Sequence, residues 1–190
     1  MNSERSRILL SLARAAIAEE FGGPPPQRPQ GCDWLDAPGA VFVSLHSRGE
    51  LRGCVGSLAP RRSLFDEVLH SAKAAAFHDP RMLPLERAEL PQVEIDLTLV
   101  HPLEPVPAAD EEEAIARLRP GTDGVVLTSG TRSAVFIPKM WQQLPEPHEF
   151  LARLKHKAGL AGWPRNMKVQ RFTADECSDA CSGVALGPPP

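Results

Sequence analysis

A chain of 190 residues, 42% of them hydrophobic, is long enough for one good core or two small lobes. Its 21 Lys and Arg stand against 24 Asp and Glu, and the net charge of −3 gives no electrostatic reason to bind nucleic acid or an anionic membrane. Tyr is absent and the few aromatics are not interleaved with basic residues, so a stacking platform for single strands is also excluded. Ile8, Leu9, Leu12, Ala13, Ala16 and Ile17 recur at helical spacing, with Glu4, Arg7, Arg14 and Glu19 mainly on the other side, which predicts an amphipathic helix to about Phe21. Arg14 in the middle of that stretch would cost about 2.5–3.5 kcal/mol on membrane-insertion scales, so it reads as neither a signal peptide nor a span. With no export signal the expected location is cytoplasmic, and the expected state of the four cysteines is the thiol.

Gly22-Gly23 and Pro24-Pro25-Pro26 end the helix and open a linker. Val41 to His46 and Leu51 to Leu58 read as two strands around Ser47-Arg48-Gly49-Glu50. Ser63 can cap a helix carrying Leu64, Phe65, Val68, Leu69, Ala72 and Ala76, which Asp79-Pro80 ends; Val93 to Leu99 then alternates as a half-buried strand. The second half runs the same course. A short acidic helix near Asp110 to Leu118 precedes strands near Gly124 to Thr128 and Arg132 to Ile137, around Ser129-Gly130. A helix follows, with Pro147 in its first turn, Lys155 and Lys157 at its end and Gly159 as its cap, and Met167 to Phe172 closes the series.

Helix, hairpin, helix, strand thus occurs twice. This order predicts an α+β fold of two pseudo-repeated halves, about 1–105 and 106–174, forming a mainly antiparallel, curved sheet flanked by helices in a single domain over 1–174. Residues 175–190 have no apolar periodicity and end in Gly and Pro, so they are expected to be a flexible tail whose removal leaves stability nearly unchanged. Cys177 and Cys181 fall in that tail. The four cysteines, Cys32 and Cys54 included, are scattered and not set in paired knuckles, so no metal site is expected. No nucleotide loop, H-E-x-x-H or G-x-S-x-G occurs, and no cofactor is expected.

The chemistry centres on Leu51-Arg52-Gly53-Cys54-Val55-Gly56. Gly53 and Gly56 would let a ligand approach the main chain, and Arg52 brings a positive charge of the kind that favours thiolate over thiol. Cys54 is the candidate catalytic nucleophile, with Arg52, Gly53 and Gly56 as a site for an anionic group. Against this stands the plain alternative that buried cysteine is a common core residue and that glycine in a strand often marks only a bulge or close packing. Pairing His46 with Leu51 sets Cys54 opposite Val43, on a face with Val41, Leu45 and Arg52, and turns His46 away; a bulge at Gly53 would reverse that. The candidates for acid or base work are His78, in the loop after the second helix, Glu94, which shares a strand face with Asp96, and His46 should that bulge form. Solvated positions are the alternative for each of these, as they are for His70, His148 and His156. Arg81 can bind an anion or pair with Asp79.

The Leu51 to Gly56 stretch resembles the LRGCIG signature of the AmmeMemoRadiSam system protein A family, the prokaryotic relatives of the human protein named for the AMMECR chromosomal region. Phe42-Val43-Ser44-Leu45-His46 resembles the strand before it, and Ala74-Ala75-Ala76-Phe77-His78-Asp79-Pro80-Arg81 with Pro84-Leu85 is similar to the family's "AAF-x-DPRF-x-PL" segment, with Met82 in place of the aromatic. Pro120-Gly121-Thr122-Asp123-Gly124-Val125-Val126-Leu127 is similar to "PG-x-DGL-x-L". Glu149-Phe150-Leu151 with Lys155-His156-Lys157-Ala158-Gly159-Leu160 resembles the "EFL…LK-x-KAGL" helix. The resemblance runs from about Arg5 to about Phe172 and implies an α+β domain of two related halves around a barrel-like sheet. The family's name implies partnership with a Memo-type protein, similar to nonheme dioxygenases, and with a radical S-adenosylmethionine protein; it names no reaction.

Two functions follow as expectations. One is a cytosolic enzyme, or an enzyme component, whose Cys54 attacks, holds or relays a group on a small molecule or a modified macromolecule. The other is a non-catalytic module in which Cys54 lines a site that receives a peptide or small ligand.

Overall fold

The computed structural model describes residues 1–179. In chain order its helices are α1 (Ser3–Glu19), α2 (Leu64–Phe77), α3 (Glu111–Arg117) and α4 (Pro147–Lys157). Its strands are β1 (Pro38–Ser47), β2 (Glu50–Gly56), β3 (Arg62–Ser63), β4 (Val93–Val100), β5 (Glu104–Val106), β6 (Gly124–Ser129), β7 (Arg132–Phe136), β8 (Lys168–Phe172) and β9 (Ala174–Ser178). The chain divides into two compact units, one of Met1–Val100 with the segment from Asp175, the other of His101–Ala174.

In the first unit the strand order is β2-β1-β4-β9, with the short β3 beside β1. Asn2 caps α1 by accepting the Arg5 amide, and Ser63 caps α2 by accepting that of Asp66, which satisfies an otherwise orphaned donor in each first turn. Val41, Val43 and Leu45 of β1 and Ile95 and Leu97 of β4 alternate onto one face and are fully buried. They form one cluster with Leu9, Ala13, Ala16 and Ile17 of α1 and Val68, Ala72 and Ala75 of α2. Small residues on α2 let it lie close to the sheet.

The second unit repeats this plan in the order β5-β8-β6-β7. In both units a hairpin's first strand pairs with its second strand on one side and with the strand after the next helix on the other, antiparallel throughout. Asp110 and Glu113 form a reciprocal cap at α3, each side chain accepting a main-chain amide near the other. Trp141 stacks on Phe150 at 3.7 Å between ring centroids and donates its indole N–H to the Asp123 carbonyl at 2.6 Å, anchoring the core around Val125, Leu127, Leu151 and Leu154.

The twofold element order expected from the sequence is therefore present, with two differences. The described strands form two separate open sheets and no closed barrel. The start of the expected tail is a strand, β9, paired with β4. Its sequence lacks large alternating apolar residues because Cys177 alone packs towards the core, while the segment is held by polar contacts. Asp179 accepts the Ile95 amide at 2.7 Å, returns its own N–H to the Ile95 carbonyl at 3.1 Å and pairs with Arg14. Cys181 and the remainder of the expected tail lie outside the described residues.

Deleting the chain from Asp175 onward should lower unfolding free energy by more than about 2 kcal/mol, because it strips a strand from the first sheet and leaves the Ile95 amide and Arg14 without these partners. Urea denaturation of the full and shortened chains is the measurement; equal midpoints would show that β9 contributes nothing to the fold.

Candidate functional site

The geometry around Cys54 starts at the hairpin turn. Ser47 pairs with Glu50 and His46 with Leu51, and Arg48 and Gly49 both have positive φ, 54° and 80°, as a tight two-residue turn requires. The ladder then slips. Beyond the turn Leu45 pairs with Gly53 and Ser44 with Cys54, leaving Arg52 as the extra residue of a β-bulge. The expected pairing of Cys54 with Val43 is thus replaced by pairing with Ser44. Gly53 supplies the reason, for a Cβ there would lie 2.0 Å from the Ala75 carbonyl oxygen of α2. Only a residue without a side chain can face the helix at that point, and turning it inward turns Cys54 outward. Gly56 is confined in the same way, 2.3 Å from the Val41 carbonyl oxygen. Both glycines permit close packing, where the sequence suggested the approach of a ligand.

Cys54 therefore shares its face with Phe42, Ser44 and His46 of β1 and with Glu94 and Asp96 of β4. Ser44 pairs with both Cys54 and Asp96, so these three form a row across β2, β1 and β4, and His46 opposite Glu94 belongs to the next row. The Ser44 hydroxyl donates to Cys54 Sγ at 3.1 Å. His46 Nδ1 lies 3.5 Å from Asp96 Oδ2, Glu94 is exposed, and the thiol-bearing residue is half-buried. The bulge brings His46 to the cysteine's side of the sheet, opposite to what a straight ladder gives.

The main chain of Cys54 is held from the loop after α2. Pro80 disfavours helical backbone at Asp79, and a turn closes from the Asp79 carbonyl to the Met82 amide at 3.0 Å. This directs the Asp79 carboxylate onto β2, where Oδ2 accepts the Cys54 amide at 2.9 Å. Arg81 grips the same carboxylate through Nε at 2.9 Å and Nη2 at 2.7 Å, and Nη2 also donates to the Cys54 carbonyl at 3.1 Å. The Asp79 side chain is only 1% exposed and that of Arg81 is 59% exposed. Arg81, and to a smaller degree the Cys54 and Arg81 amides, hold the Asp79 carboxyl far below the usual carboxylate range despite its burial. Asp79, with a lesser part from Cys54, raises the Arg81 guanidinium.

Arg52, expected to act on the thiol, does other work. Its Nε and Nη2 reach the Glu89 carboxylate at 2.7 and 2.9 Å, while Nη1 and Nη2 donate to the carbonyls of Leu83 and Pro84 at 2.6 and 3.1 Å. This pairing with Glu89 raises the guanidinium and lowers the carboxyl. As the bulge residue it leaves the ladder and braces the loop that carries Arg81, so the cation at Cys54 is Arg81. His78 is the exposed residue that ends α2, and it is the neighbouring Asp79 that reaches Cys54. Ser44 and Glu89 carried no signal of their own in the sequence; Ser44 would follow from the pairing rule once the bulge is placed. Burial pushes the Cys177 thiol up to about 11, with Ser6 opposing. Among the described residues no group of three or more His, Cys, Asp or Glu is placed to hold a metal ion, and no helix is long and apolar enough to cross a membrane.

Fold and site together define an α+β protein of two topologically matched antiparallel sheets, the first carrying a cysteine on its edge strand beneath an Asp-Pro-Arg clamp. The chain belongs to the AMMECR1 family, whose model matches residues 10–177. A protein of Methanothermobacter thermautotrophicus is 30% identical over 183 residues, which cover 92% of this chain and 94% of that one. Proteins of Saccharolobus islandicus are 32% identical over 188 residues, covering 90% of this chain and 80% of theirs. The crystal structure of the uncharacterized protein PH0010 from Pyrococcus horikoshii is similar at a TM-score of 0.85 and 28% identity, covering 94% of this chain and 93% of that one.

Two substitutions check this geometry. Gly53→Ala should destabilise by about 3 kcal/mol or more, because a methyl group 2.0 Å from a helix carbonyl forces backbone to move. Asp79→Asn should cost about 1.5–3 kcal/mol, the scale of hydrogen bonds to a charged group. Its sign with pH is fixed: a carboxyl depressed in the folded state stabilises above the unfolded value near 3.9, and this is lost as pH falls. Urea titrations should give the full difference from wild type above about pH 5 and a shrinking one below about pH 4; a difference independent of pH would refute the assignment.

Proposed function

We propose that this AMMECR1-family chain is a cytosolic enzyme, or a component of one, in which Cys54 attacks or carries a group on a small molecule or a modified macromolecule. The observation that carries the reading is the setting of the thiol. Cys54 is half-buried, its Sγ receives a hydroxyl hydrogen bond from Ser44 at 3.1 Å, and Arg81 Nη2 donates to its carbonyl at 3.1 Å. A hydroxyl donor at the sulfur and a cation held at the same residue form the kind of setting that covalent catalysis by cysteine uses.

Attack by sulfur uses its electron pair to form the new bond, and the thiol proton must go to a base. His46, paired with Asp96 on the same sheet face, is the group suited to take that proton and return it to a leaving group. The exposed side of Arg81 suits an anionic part of the substrate. The resemblance to the AmmeMemoRadiSam system supports a pathway shared with Memo-type and radical S-adenosylmethionine proteins, in which this chain handles a group before or after radical or oxidative chemistry.

Iodoacetamide labelling at several pH values, read by mass spectrometry, should find Cys54 the most reactive of Cys32, Cys54 and Cys177 at pH 7. Cys54→Ser and Cys54→Ala should fold with a loss of at most about 1–2 kcal/mol yet fail to complement a deletion strain or to bind the Memo-type partner. Leu45→Ala, on the opposite, fully buried face, should cost about 2–5 kcal/mol and leave activity in the molecules that fold. A fully functional Cys54→Ala would assign the cysteine to packing and favour a binding module.

A further inference from the structure

Cys54 lies on β2, which among the described strands has a sheet neighbour on one side only. In an antiparallel ladder alternate residues direct N–H and C=O away from their partner, and on an edge strand these groups are left for water or another chain. At Cys54 both are met by side chains. The Asp79 carboxylate takes the N–H at 2.9 Å, and Arg81 Nη2 gives to the C=O at 3.1 Å. One acceptor and one donor, side by side, are what the peptide of an adjoining strand would present.

The outward direction of both groups also identifies Ser44 and Cys54 as a non-hydrogen-bonded pair, the kind in which opposed side chains come closest, in keeping with the 3.1 Å contact between hydroxyl and sulfur. The clamp itself is stiff. Asp79 Oδ1 accepts both the Arg81 amide and Nε, the Leu85 amide bonds to the Ala76 carbonyl at 2.8 Å, and the carboxylate is buried.

We propose that Asp79 and Arg81 are positioning residues for Cys54: together they stand in for the missing strand, fix the peptide that bears the thiol, and hold Sγ against Ser44. The inference rests on Cys54 being the reacting group, but its test needs no turnover. An ion pair serving only to fasten the loop would leave Cys54 unaffected, and Arg52 with Glu89 already fastens residues 83–89. The two roles differ in what their loss does to the cysteine.

The test uses the full chain with Arg81→Gln, Arg81→Lys, Asp79→Asn and the Asp79→Asn/Arg81→Gln double variant, and reads two properties of Cys54. In Arg81→Gln and Asp79→Asn the Cys54 amide should exchange hydrogen at least about tenfold faster than in wild type, while the Leu45 and Ile95 amides are unchanged. Alkylation of Cys54 by iodoacetamide at pH 7 should slow at least about threefold in Arg81→Gln, because the peptide that bears the sulfur is no longer held. Arg81→Lys, which keeps the charge and a donor, should recover part of both. The double variant should be no worse than the single ones, because the pair acts as a unit.

Lower melting temperatures with wild-type exchange and a wild-type alkylation rate at Cys54 would overturn the proposal. Arg81 is exposed enough for Arg81→Gln to fold, so that variant decides the matter if Asp79→Asn does not fold. Accelerated exchange at Cys54 in a protein whose Cys54→Ala variant is fully functional would support the clamp and overturn the catalytic reading instead.

Discussion

The approach of α2 to β2 at Gly53 is the constraint on which the site depends. A helix carbonyl occupies the space where any other residue would carry its side chain, so the strand must present glycine inward. The hairpin turn fixes a different register, set by Arg48 and Gly49 with positive φ. The two demands are out of phase by one residue, and a bulge at Arg52 reconciles them. Cys54 faces away from the core because of that slip, and the face it enters was already furnished with Ser44, His46 and Asp96.

Once the bulge has pushed Arg52 out of the ladder, its side chain is free to cross to the loop. There it meets Glu89 and two carbonyls, and the loop so held brings Asp79 and Arg81 back onto the main chain two residues further along the same strand. The motif Leu51 to Gly56 and the Asp-Pro-Arg segment are thus one device. Each residue type in them answers a separate need: no Cβ at 53, a long guanidinium at 52, a short carboxylate at 79 and a proline at 80 to aim it.

Periodicity made the larger elements legible. The stripe of Leu9, Leu12, Ala13, Ala16 and Ile17, the cap at Ser63, and the Pro147 and Gly159 pair each act locally, and each marks its helix within a few residues of where it lies. What stayed hidden is what depends on distant partners. β9 is a strand because of Ile95 and Arg14, far back in the chain, and its own residues give no alternation to read. The side of the sheet on which Cys54 falls depended on a clash with Ala75, so the same six residues were consistent with either face until the helix was in place. Arg52 was legible as a charge near the thiol, but its role was set by Glu89, 37 positions away.

The order of the strands also bears on how the protein is made. β5 follows β4 in the chain yet joins the second unit's sheet beside β8, and β9 follows β8 yet joins the first unit's sheet beside β4. During synthesis the first unit emerges before the second but lacks its outer strand until β9, which follows the whole second unit, has been translated. Until then the far side of β4 is an unpaired edge holding half of a ladder, a template for strands of other nascent chains. The polar character of β9, with Asp175, Glu176 and Ser178, and of Asp179 just after it suits a segment that must stay soluble while it waits to close that edge.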